Sequence, residues 1–361
     1  MEESEDPEPS TSKRVHLQEK KKVLPSKSTW SSNKQHVWKL PSIEKPCEPL
    51  TIDFLKKTVA SPLDAFKCFF TDQLVNRIVT HSNLYACQKG EHHENISSEE
   101  IYTVLGIMLL SGYHKLPNKR MCWQEDPNCN VTIVSEAMRR RRFEEILRYI
   151  HLNDNTNIDT DSFYKVRPLF DYLNESFKQV PCEGSLSIDE SIIPYYGRHH
   201  KKQFIRGKPI SFGFEMWVIA KTNGYIMHVE PYRGSNTKLP DTGLGQGGDV
   251  VIGLVDHCNV PNGRKLYFDN LFTSVSLLEE LCKKELGETG TLRENRIGKA
   301  MNLPPKKEFK KVERGKFVTV GNGKLIAVSW NDNSVVTVLS NCNEVNPLRS
   351  IQRYSRTEKK R

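Results

Sequence analysis

Apolar residues recur every three to four positions over the first half of the chain, from Ile52 to Val180. This spacing predicts amphipathic helices. Ser61 followed by Pro62 marks one helix start, and Ser98 followed by two glutamates marks another. A serine side chain can cap the first backbone N–H groups, and acidic residues are favourable in the first turn. We therefore expect a helical region before the first strand.

The pattern changes at Ser185 to short apolar runs of strand length. LSIDESII is followed by FGFEMWVIAKT and YIMHVEPY, and the last two are separated by Asn223-Gly224. Asn-Gly between two apolar runs is a strong hairpin signal. GGDVVIGLVDHC and SVSLLEELCKKEL have helical spacing, whereas KLYFDN and GTLREN are typical of short strands. The order β, β-hairpin, α, β, α, β predicts an α+β core, with helices covering a mixed sheet.

Both ends of the sequence are polar and rich in charge. Residues 1–48 show no periodicity and are rich in Pro, Ser, Lys and Glu, which predicts a disordered segment. Beyond residue 300, Gly321-Asn322-Gly323 separates two apolar runs in a second hairpin pattern. We therefore predict four parts: a disordered basic segment (1–48), a helical domain (49–182), the α+β core (183–299), and a β-rich segment with a basic tail (300–361).

The formal net charge of +9 favours a polyanionic partner, either nucleic acid or an anionic membrane surface. A basic tail without a partner is the alternative. The beginning MEESEDPEPS is not a signal peptide, and no apolar run is long enough to span a bilayer. Nine cysteines without any CxxC pair predict free thiols rather than a zinc ribbon or a disulfide framework. The run Lys20-Lys21-Lys22 resembles short nuclear localisation signals.

Two aspartates, Asp189 and Asp269, each end a predicted buried strand. If these strands lie side by side and parallel, both carboxylates reach the same sheet edge, where ligands of such sheets bind. Mg²⁺ removes the repulsion between close carboxylates, and it needs only one or two of them together with substrate phosphate. Two such ions about 4 Å apart support phosphodiester chemistry. A turn-forming role is the alternative, because Asp is common at strand ends.

The loop after Asp189 is basic, and its cations would hold a DNA backbone near the metal. These predicted DNA-binding residues are Arg198, Lys201, Lys202, Arg206 and Lys208. Glu190 alternates to the other strand face and is not predicted as a ligand. Of Tyr195 and Tyr196, either could stack on bases or fill the core, and core packing is favoured for one of them.

The arginine run Arg139–Arg142 lies in VSEAMRRRRFEEILRYIHL, which has helical spacing throughout. Four consecutive residues cover more than half of a helix circumference, so some of these arginines face outward. A solvated face and a phosphate-contacting face are both open interpretations.

Eight blocks of the sequence, in this order, resemble the piggyBac-type transposases and the proteins derived from them by domestication. The blocks are SGYHKLPNKRMCW, AMRRRRFEEILRYIHLNDN, KVRPLFDYLN, LSIDESIIPYYGR, KQFIRGKP, YFDNLFTS, GTLRENR and WNDNSVVTVLSN. The resemblance runs from about residue 60 to the C-terminus. It implies an RNase H-like (retroviral integrase-like) core preceded by a helical dimerisation and DNA-binding domain and followed by the start of a β-rich insertion.

The resemblance also implies site residues and partners. Family members cut and join DNA at TTAA with Mg²⁺ and three aspartates, called the DDD motif. Asp189 in SIDES matches the first aspartate and Asp269 in YFDN the second, so both are candidate catalytic and metal-binding residues. The block GTLRENR is expected near bound DNA through Thr291, Arg293, Asn295 and Arg296. A homodimer on DNA and a nuclear location follow from the same resemblance.

The third family aspartate lies in a Gly-Val-Asp block that this sequence does not contain. Asp332 in WNDNS belongs to the β-rich segment and is no substitute. We therefore expect a truncated form with two of the three catalytic aspartates.

Three functions remain open at this stage. The first is a DNA-binding protein descended from a cut-and-paste transposase, without autonomous transposition. The alternatives are an active metal-dependent transposase or nuclease and a non-functional remnant. No membrane and no small-molecule substrate are expected for any of the three.

Overall fold

The computed structural model describes residues 29–32, 59–91, 95–126, 128–182, 184–234, 237 and 239–348. The predicted disordered segment 1–48 therefore lies outside the described residues except for 29–32, and the charged tail beyond 348 lies outside them entirely. Helices precede the strands along the described chain, as the periodicity predicts. The helices before the first strand are α1 (Pro62–Lys67), α2 (Asp72–Gln88), α3 (Ser98–Tyr113), α4 (Thr132–Ala137), α5 (Arg140–Tyr149) and α6 (Arg167–Phe177).

Side-chain caps set the starts of α1, α2 and α3. Ser61 and Asp64 form the capping box of α1, which confirms the predicted start. At α3 the cap is Ser97 rather than the predicted Ser98, because only Ser97 stands three residues before Glu100 and can exchange hydrogen bonds with it. The helical pattern that begins at Ser61 is also divided, since Thr71 caps a new helix by accepting a hydrogen bond from Leu74 N–H.

The predicted helix over the arginine run is interrupted between α4 and α5. Met138 is extended and buried, and its carbonyl accepts a hydrogen bond from the Trp123 indole N–H at 2.7 Å. Met138 N–H still donates to Val134 O, but its carbonyl accepts from Trp123 instead of from a following helical N–H. Arg142 is half-buried, and its Nε donates to Glu100 Oε1 at 2.6 Å. Arg140 and Arg141 are exposed. Within the run, Arg142 therefore forms an ion pair, whereas these two arginines face solvent.

The second half of the described chain alternates strands with three helices. The strands are β1 (Ser185–Pro194), β2 (Gln203–Phe204), β3 (Phe212–Lys221), β4 (Ile226–Pro231), β5 (Lys265–Phe268), β6 (Gly287–Thr291), β7 (Phe317–Gly321), β8 (Ile326–Asn331) and β9 (Val335–Ser340). The helices are α7 (Gln246–His257), α8 (Val275–Lys283) and α9 (Lys306–Phe309). Gly224 turns the β3–β4 hairpin with a φ of 86°, which favours glycine, so the predicted Asn-Gly turn is confirmed. GTLREN is only partly strand, because residues 294–296 form a 3₁₀ turn.

All nine strands belong to one mixed sheet in the order β2-β3-β1-β5-β6-β9-β8-β7, and β4 also pairs with β3. Strand β1 is antiparallel to β3 and parallel to β5, and β5 is parallel to β6. The strands predicted as a separate β-rich segment continue this sheet, because β9 pairs with β6. The predicted boundaries of the four parts stay a prediction.

The two faces of β1 are in different surroundings. Leu186 and Ile188 are fully buried in a cluster formed with α7, α8 and the neighbouring strands. The alternate positions Ser187, Asp189 and Ser191 are exposed. We call this second side the open face. Farther along, on β3 and β4, the same side is covered by α6, through Phe170 and Phe177 and their aromatic neighbours.

Residues 29–32 lie against the far edge of the sheet. Ser31 N–H donates to Gly321 O at 2.8 Å, and Gly321 N–H donates back to Ser31 O at 2.9 Å. Trp30 packs on a buried cluster that includes Val320 and Leu325. A short extended segment is thus added to β7. Across the described residues, no helix is both long enough and apolar enough to cross a membrane.

Candidate metal and nucleic-acid site

The two predicted aspartates are neighbours on adjacent parallel strands. The β1–β5 pairing runs from Ser185 opposite Lys265 to Ile188 opposite Phe268. The next position on each strand is Asp189 and Asp269. Parallel neighbours lie about 4.8 Å apart between backbones, so the two carboxyl groups start from adjacent points on the sheet.

Asp189 does not end its strand, contrary to the prediction. β1 continues to Pro194 because it stays paired with β3 for five more residues, and only the pairing with β5 stops at Ile188. Asp269 does follow its strand directly. The end of the parallel ladder, rather than the end of both strands, brings the two residues together.

Each aspartate accepts a hydrogen bond from a nearby backbone N–H. Asp189 Oδ1 accepts from Glu190 N–H at 2.8 Å. Asp269 Oδ1 accepts from Leu271 N–H at 2.7 Å, and its carbonyl accepts from the Thr273 hydroxyl at 2.9 Å. These bonds restrict the carboxyl groups before any ligand arrives.

The electrostatic environment of Asp189 disfavours its negative charge. Partial desolvation between the strands and the neighbouring Glu190 carboxyl raise the pKa of Asp189 to about 6. Burial alone would raise the pKa of Glu190 as well, but hydrogen bonds from Asp189 and Lys208 lower it. Lys208 Nζ lies 2.7 Å from Glu190 Oε1. Glu190 therefore belongs to an ion pair, and its exclusion as a metal ligand stays a prediction.

The donor set matches a hard divalent cation. Carboxylate oxygens are the protein ligands that Mg²⁺ prefers, and a cation would relieve the like-charge penalty at Asp189. Among the residues that the structure describes, no group of three or more His, Cys, Asp or Glu side chains is placed to hold a metal. Asp332, in the β8–β9 connection, is engaged elsewhere: Arg314 Nη2 donates to its Oδ1 at 2.9 Å.

The five predicted DNA-binding residues of the loop after β1 fall into two groups. Arg198 and Arg206 are exposed. The three lysines make internal contacts: Lys201 Nζ donates to Arg233 O at 2.9 Å, Lys202 Nζ to Gly197 O at 3.2 Å, and Lys208 Nζ binds Glu190. Of these five predicted residues, Arg198 and Arg206 are therefore the ones most accessible to a ligand.

Two of the predicted residues of GTLRENR, Arg293 and Arg296, contact the segment that follows Asp269. Arg293 Nε donates to Asn270 Oδ1 at 2.8 Å, and Arg296 Nη1 donates to Thr273 O at 2.7 Å. Arg293 and Asn295 are exposed, whereas Thr291 and Arg296 are half-buried. The block therefore lies beside the Asp269 loop, and its role in DNA binding stays a prediction.

The two tyrosines after β1 differ in their surroundings. Tyr195 packs on Phe214 with ring centroids 4.7 Å apart, whereas Tyr196 is 88% exposed. This matches the expectation that one of them fills the core. His200 contacts Ser162 rather than any cluster of ligands.

Two buried charged features have no signal in the sequence pattern. The first joins the helical half to the sheet: Arg167 contacts Asp161 at 2.6 Å and Glu230 at 3.2 Å, and Arg233 contacts Asp161 at 3.1 Å. The second is Glu288 on β6, which is fully buried, and neither of its carboxyl oxygens has a hydrogen-bond partner among the described residues. Burial raises the pKa of Glu288 well above its usual value.

Comparison with known proteins decides the family. The family model described as Transposase IS4 matches residues 61–361. The human PiggyBac transposable element-derived protein 3 is 42% identical over 306 residues, which cover 83% of this chain and 51% of that protein. The human PiggyBac transposable element-derived protein 2 is 36% identical over 348 residues, which cover 95% of this chain and 56% of that protein.

The chain belongs to the piggyBac-type transposase family. It spans about half the length of the curated relatives it matches. A piggyBac transposase, solved by cryo-electron microscopy as a synaptic complex with hairpin DNA, has a similar structure with a TM-score of 0.70 and 25% identity. That match covers 82% of this chain and 64% of the transposase chain. The piggyBac resemblance and the mixed α/β fold are thereby confirmed.

Proposed function

We propose that this piggyBac-type chain binds DNA along the open face of its sheet and derives from a cut-and-paste DNA transposase. The observation that carries the proposal is the pair Asp189 and Asp269 at the end of the β1–β5 parallel ladder, with exposed arginines on both sides. Arg198 and Arg206 follow β1, and Arg293 follows β6. A polyanion approaching the carboxylates would meet these cations first.

The strand arrangement supports an RNase H-like core as part of this proposal. In the series β4-β3-β1-β5-β6 the first three strands are antiparallel neighbours and the last three are parallel neighbours. The first aspartate lies on the central strand of the series and the second directly after the adjoining parallel strand. We also infer a homodimer on DNA and a nuclear location, which the family resemblance suggests.

In this proposal Asp189 and Asp269 would hold Mg²⁺, which when bound supplies charge stabilisation for phosphodiester chemistry. The protein residues fix the carboxylates through the N–H groups of Glu190 and Leu271. Since the described residues bring together two such carboxylates and not three, DNA binding rather than autonomous transposition is the function proposed here.

The test is the salt dependence of DNA binding by the full chain. Fluorescence anisotropy with a labelled duplex containing TTAA should show affinity that falls steeply as salt rises, with a slope of about −0.9 per phosphate contact on a log–log plot. Arg206→Gln should reduce that slope by about one. Lys283→Gln on α8, a lysine with a 71% exposed side chain, is the matched control and should change little. Failure of the duplex to bind at low salt would reject the proposal.

A second candidate function, metal-dependent DNA cleavage, is favoured by the placement of Asp189 and Asp269 next to each other at the end of the β1–β5 parallel ladder. Incubation of a TTAA-flanked duplex with Mg²⁺ or with chelator distinguishes it from binding alone. Cleavage that needs Mg²⁺ and is lost in Asp189→Asn, but kept in Asp332→Asn, would establish the nuclease. Binding without cleavage would leave the DNA-binding proposal standing.

A further inference from the structure

Large aromatic side chains are exposed at the end of the sheet next to the basic loop. Tyr196 is 88% exposed, Phe204 60% and Phe212 46%. We call these three residues the aromatic platform. Water-exposed rings of this number in one place mark an interaction surface, because burying them would release apolar area from water.

The two phenylalanines of the platform form one continuous surface. Phe204 and Phe212 face each other across the β2–β3 pairing, with ring centroids 4.7 Å apart. Lys202 Nζ lies 5.3 Å from the Phe212 ring centroid and also donates to the carbonyl of Gly197, the residue that follows Tyr196. Lys202 therefore lies between the Phe212 ring and the backbone of the residue next to Tyr196.

The register places Phe204 and Phe212, two of the three platform residues, on the same side of the sheet as Asp189. Asp189 is opposite Val218 on β3, and paired residues share a face. Phe212 is an even number of residues from Val218 on the same strand, so the two side chains lie on the same face. Phe204 is paired with Phe212 and shares that face. Six residues of strand separate Phe212 from Val218, which is about 20 Å at 3.3 Å per residue.

The charge around the platform has one sign. Between Glu190 and Glu215 the sequence has five Lys or Arg residues and no Asp or Glu. Two of these cations, Arg198 and Arg206, are exposed. A ligand that matches this surface carries negative charge and flat rings together.

We propose that the aromatic platform binds unpaired DNA bases by stacking, with Arg198 and Arg206 on the adjoining phosphates. Single-stranded DNA has both features, whereas duplex DNA hides its base faces and an acidic peptide lacks them. The inference rests on the proposed DNA binding and adds a class of substrate to it. It places the unpaired bases about 20 Å along the sheet from Asp189.

The test compares two single-stranded probes of equal phosphate number with the full-length protein. One is a fluorescent thymidine 12-mer, and the other is an abasic 12-mer. Tyr196→Leu and Phe204→Leu should each lower affinity for the thymidine probe about ten-fold, while affinity for the abasic probe stays within about two-fold. Arg206→Gln should weaken both probes equally.

The matched control is Tyr113→Leu, because Tyr113 is also a highly exposed tyrosine (78%) but lies at the end of α3, outside the segment that carries the platform. It should leave both probes unaffected. Equal losses for the two probes in Tyr196→Leu, or an equal loss in Tyr113→Leu, would overturn the stacking proposal. So would a wild-type protein that binds duplex DNA but not the thymidine probe.

A direct readout of stacking is the fluorescence of 2-aminopurine placed within a single-stranded probe. Wild-type protein should quench it, and Tyr196→Leu should not. If wild type binds duplex DNA with the expected salt slope but does not quench, only the stacking proposal fails. If no DNA binds at low salt, the proposed function fails. Dissociation of a protein dimer by Tyr196→Leu, measured by sedimentation without DNA, would instead assign the platform to a second copy of the chain.

Discussion

Two groups of charged side chains on this sheet are arranged in opposite ways. In the first group, Asp161, Arg167, Glu230 and Arg233 are nearly completely buried and alternate in sign. In the second, Asp189 lies at the surface beside the Glu190 carboxyl, and Asp269 directly follows the neighbouring parallel strand. The first group pairs its charges internally, whereas in the second Lys208 pairs with Glu190 and Asp189 lies on the open face.

The effect on Asp161 and Asp189 differs accordingly, whereas burial raises the pKa of Glu230 in the first group despite its arginine partner. Burial alone would raise the pKa of Asp161, but hydrogen bonds from Arg167 and Phe163 lower it below its usual value. At Asp189 the desolvation and the adjacent carboxyl act in the same direction and raise the pKa to about 6. Paired burial marks a structural site, whereas unpaired like charge at an open face marks a candidate binding site.

The largest expected effect comes from breaking the buried group. Arg167→Met should lower the free energy of unfolding by about 3–5 kcal/mol, because Asp161 and Glu230 would be left buried without their partner. Urea denaturation at neutral pH measures it. Arg293→Met removes an exposed arginine and should change stability by less than about 0.5 kcal/mol. A loss below about 1 kcal/mol in Arg167→Met would contradict a structural role for the group.

A smaller effect is expected at Glu288, which is buried like the first group but lacks its partners. Its pKa in the folded protein is raised above the unfolded value. A raised folded pKa means that the stabilising contribution is present below about pH 4.5 and is lost as pH rises toward the folded pKa. Wild-type stability should therefore fall over that window by up to about 1.4 kcal/mol per pH unit.

Glu288→Gln should remove this part of the pH dependence, so that the variant gains stability relative to wild type as pH rises from about 5 to about 7, by up to about 1.4 kcal/mol per pH unit. Denaturation curves at the two pH values test it. Glu294→Gln, at an exposed glutamate, is the control and should follow wild type at both. A wild-type profile that is not steeper than that of Glu288→Gln would show that the Glu288 carboxyl finds a partner in solution.

The smallest effect concerns the open face and has the opposite sign to the first. Asp189→Asn removes like-charge repulsion at an exposed position, so it should raise stability by up to about 1 kcal/mol in the presence of a chelator. Asp161→Asn, the same change in the buried group, should destabilise strongly. Adding Mg²⁺ at ten times its Kd should stabilise wild type by about 1.4 kcal/mol and Asp189→Asn by less.

Thermal melts with and without Mg²⁺ measure both parts of this prediction. Asp332→Asn serves as the carboxylate control: its loss breaks a surface ion pair with Arg314, and Mg²⁺ should still stabilise it. Destabilisation by Asp189→Asn in chelator would show that the two groups do not differ as described.

Local patterns in the sequence predicted much of the sheet. The Asn-Gly turn, the order of strands and helices after Ser185, and the approach of Asp189 to Asp269 depend on short-range periodicity and on the parallel arrangement of strands. The end of β1 was predicted too early, because the pairing that extends it comes from β3. The helix break at Met138 could not be predicted, since a Trp123 hydrogen bond outweighs local helical preference.

The remaining features depend on contacts between distant parts of the chain. Arg167 and Glu230 are 63 residues apart, and neither KVRPLF nor YIMHVEPY shows that they meet. Lys208 was predicted to bind DNA, yet it neutralises Glu190 across a loop of 18 residues. A basic residue in a sequence gives a charge, and only the fold determines which acid or phosphate it faces.

The segment with Trp30 has a consequence for solubility. β7 is the last strand of the sheet order, and its outer edge would offer unpaired N–H and C=O groups to another molecule. The two hydrogen bonds between Ser31 and Gly321 occupy part of that edge, and Trp30 anchors the segment on apolar residues below it. Residues 30 and 31 thus protect the β7 edge from pairing with a strand of another molecule. A form of the protein that begins after residue 32 would expose this edge as a template for aggregation.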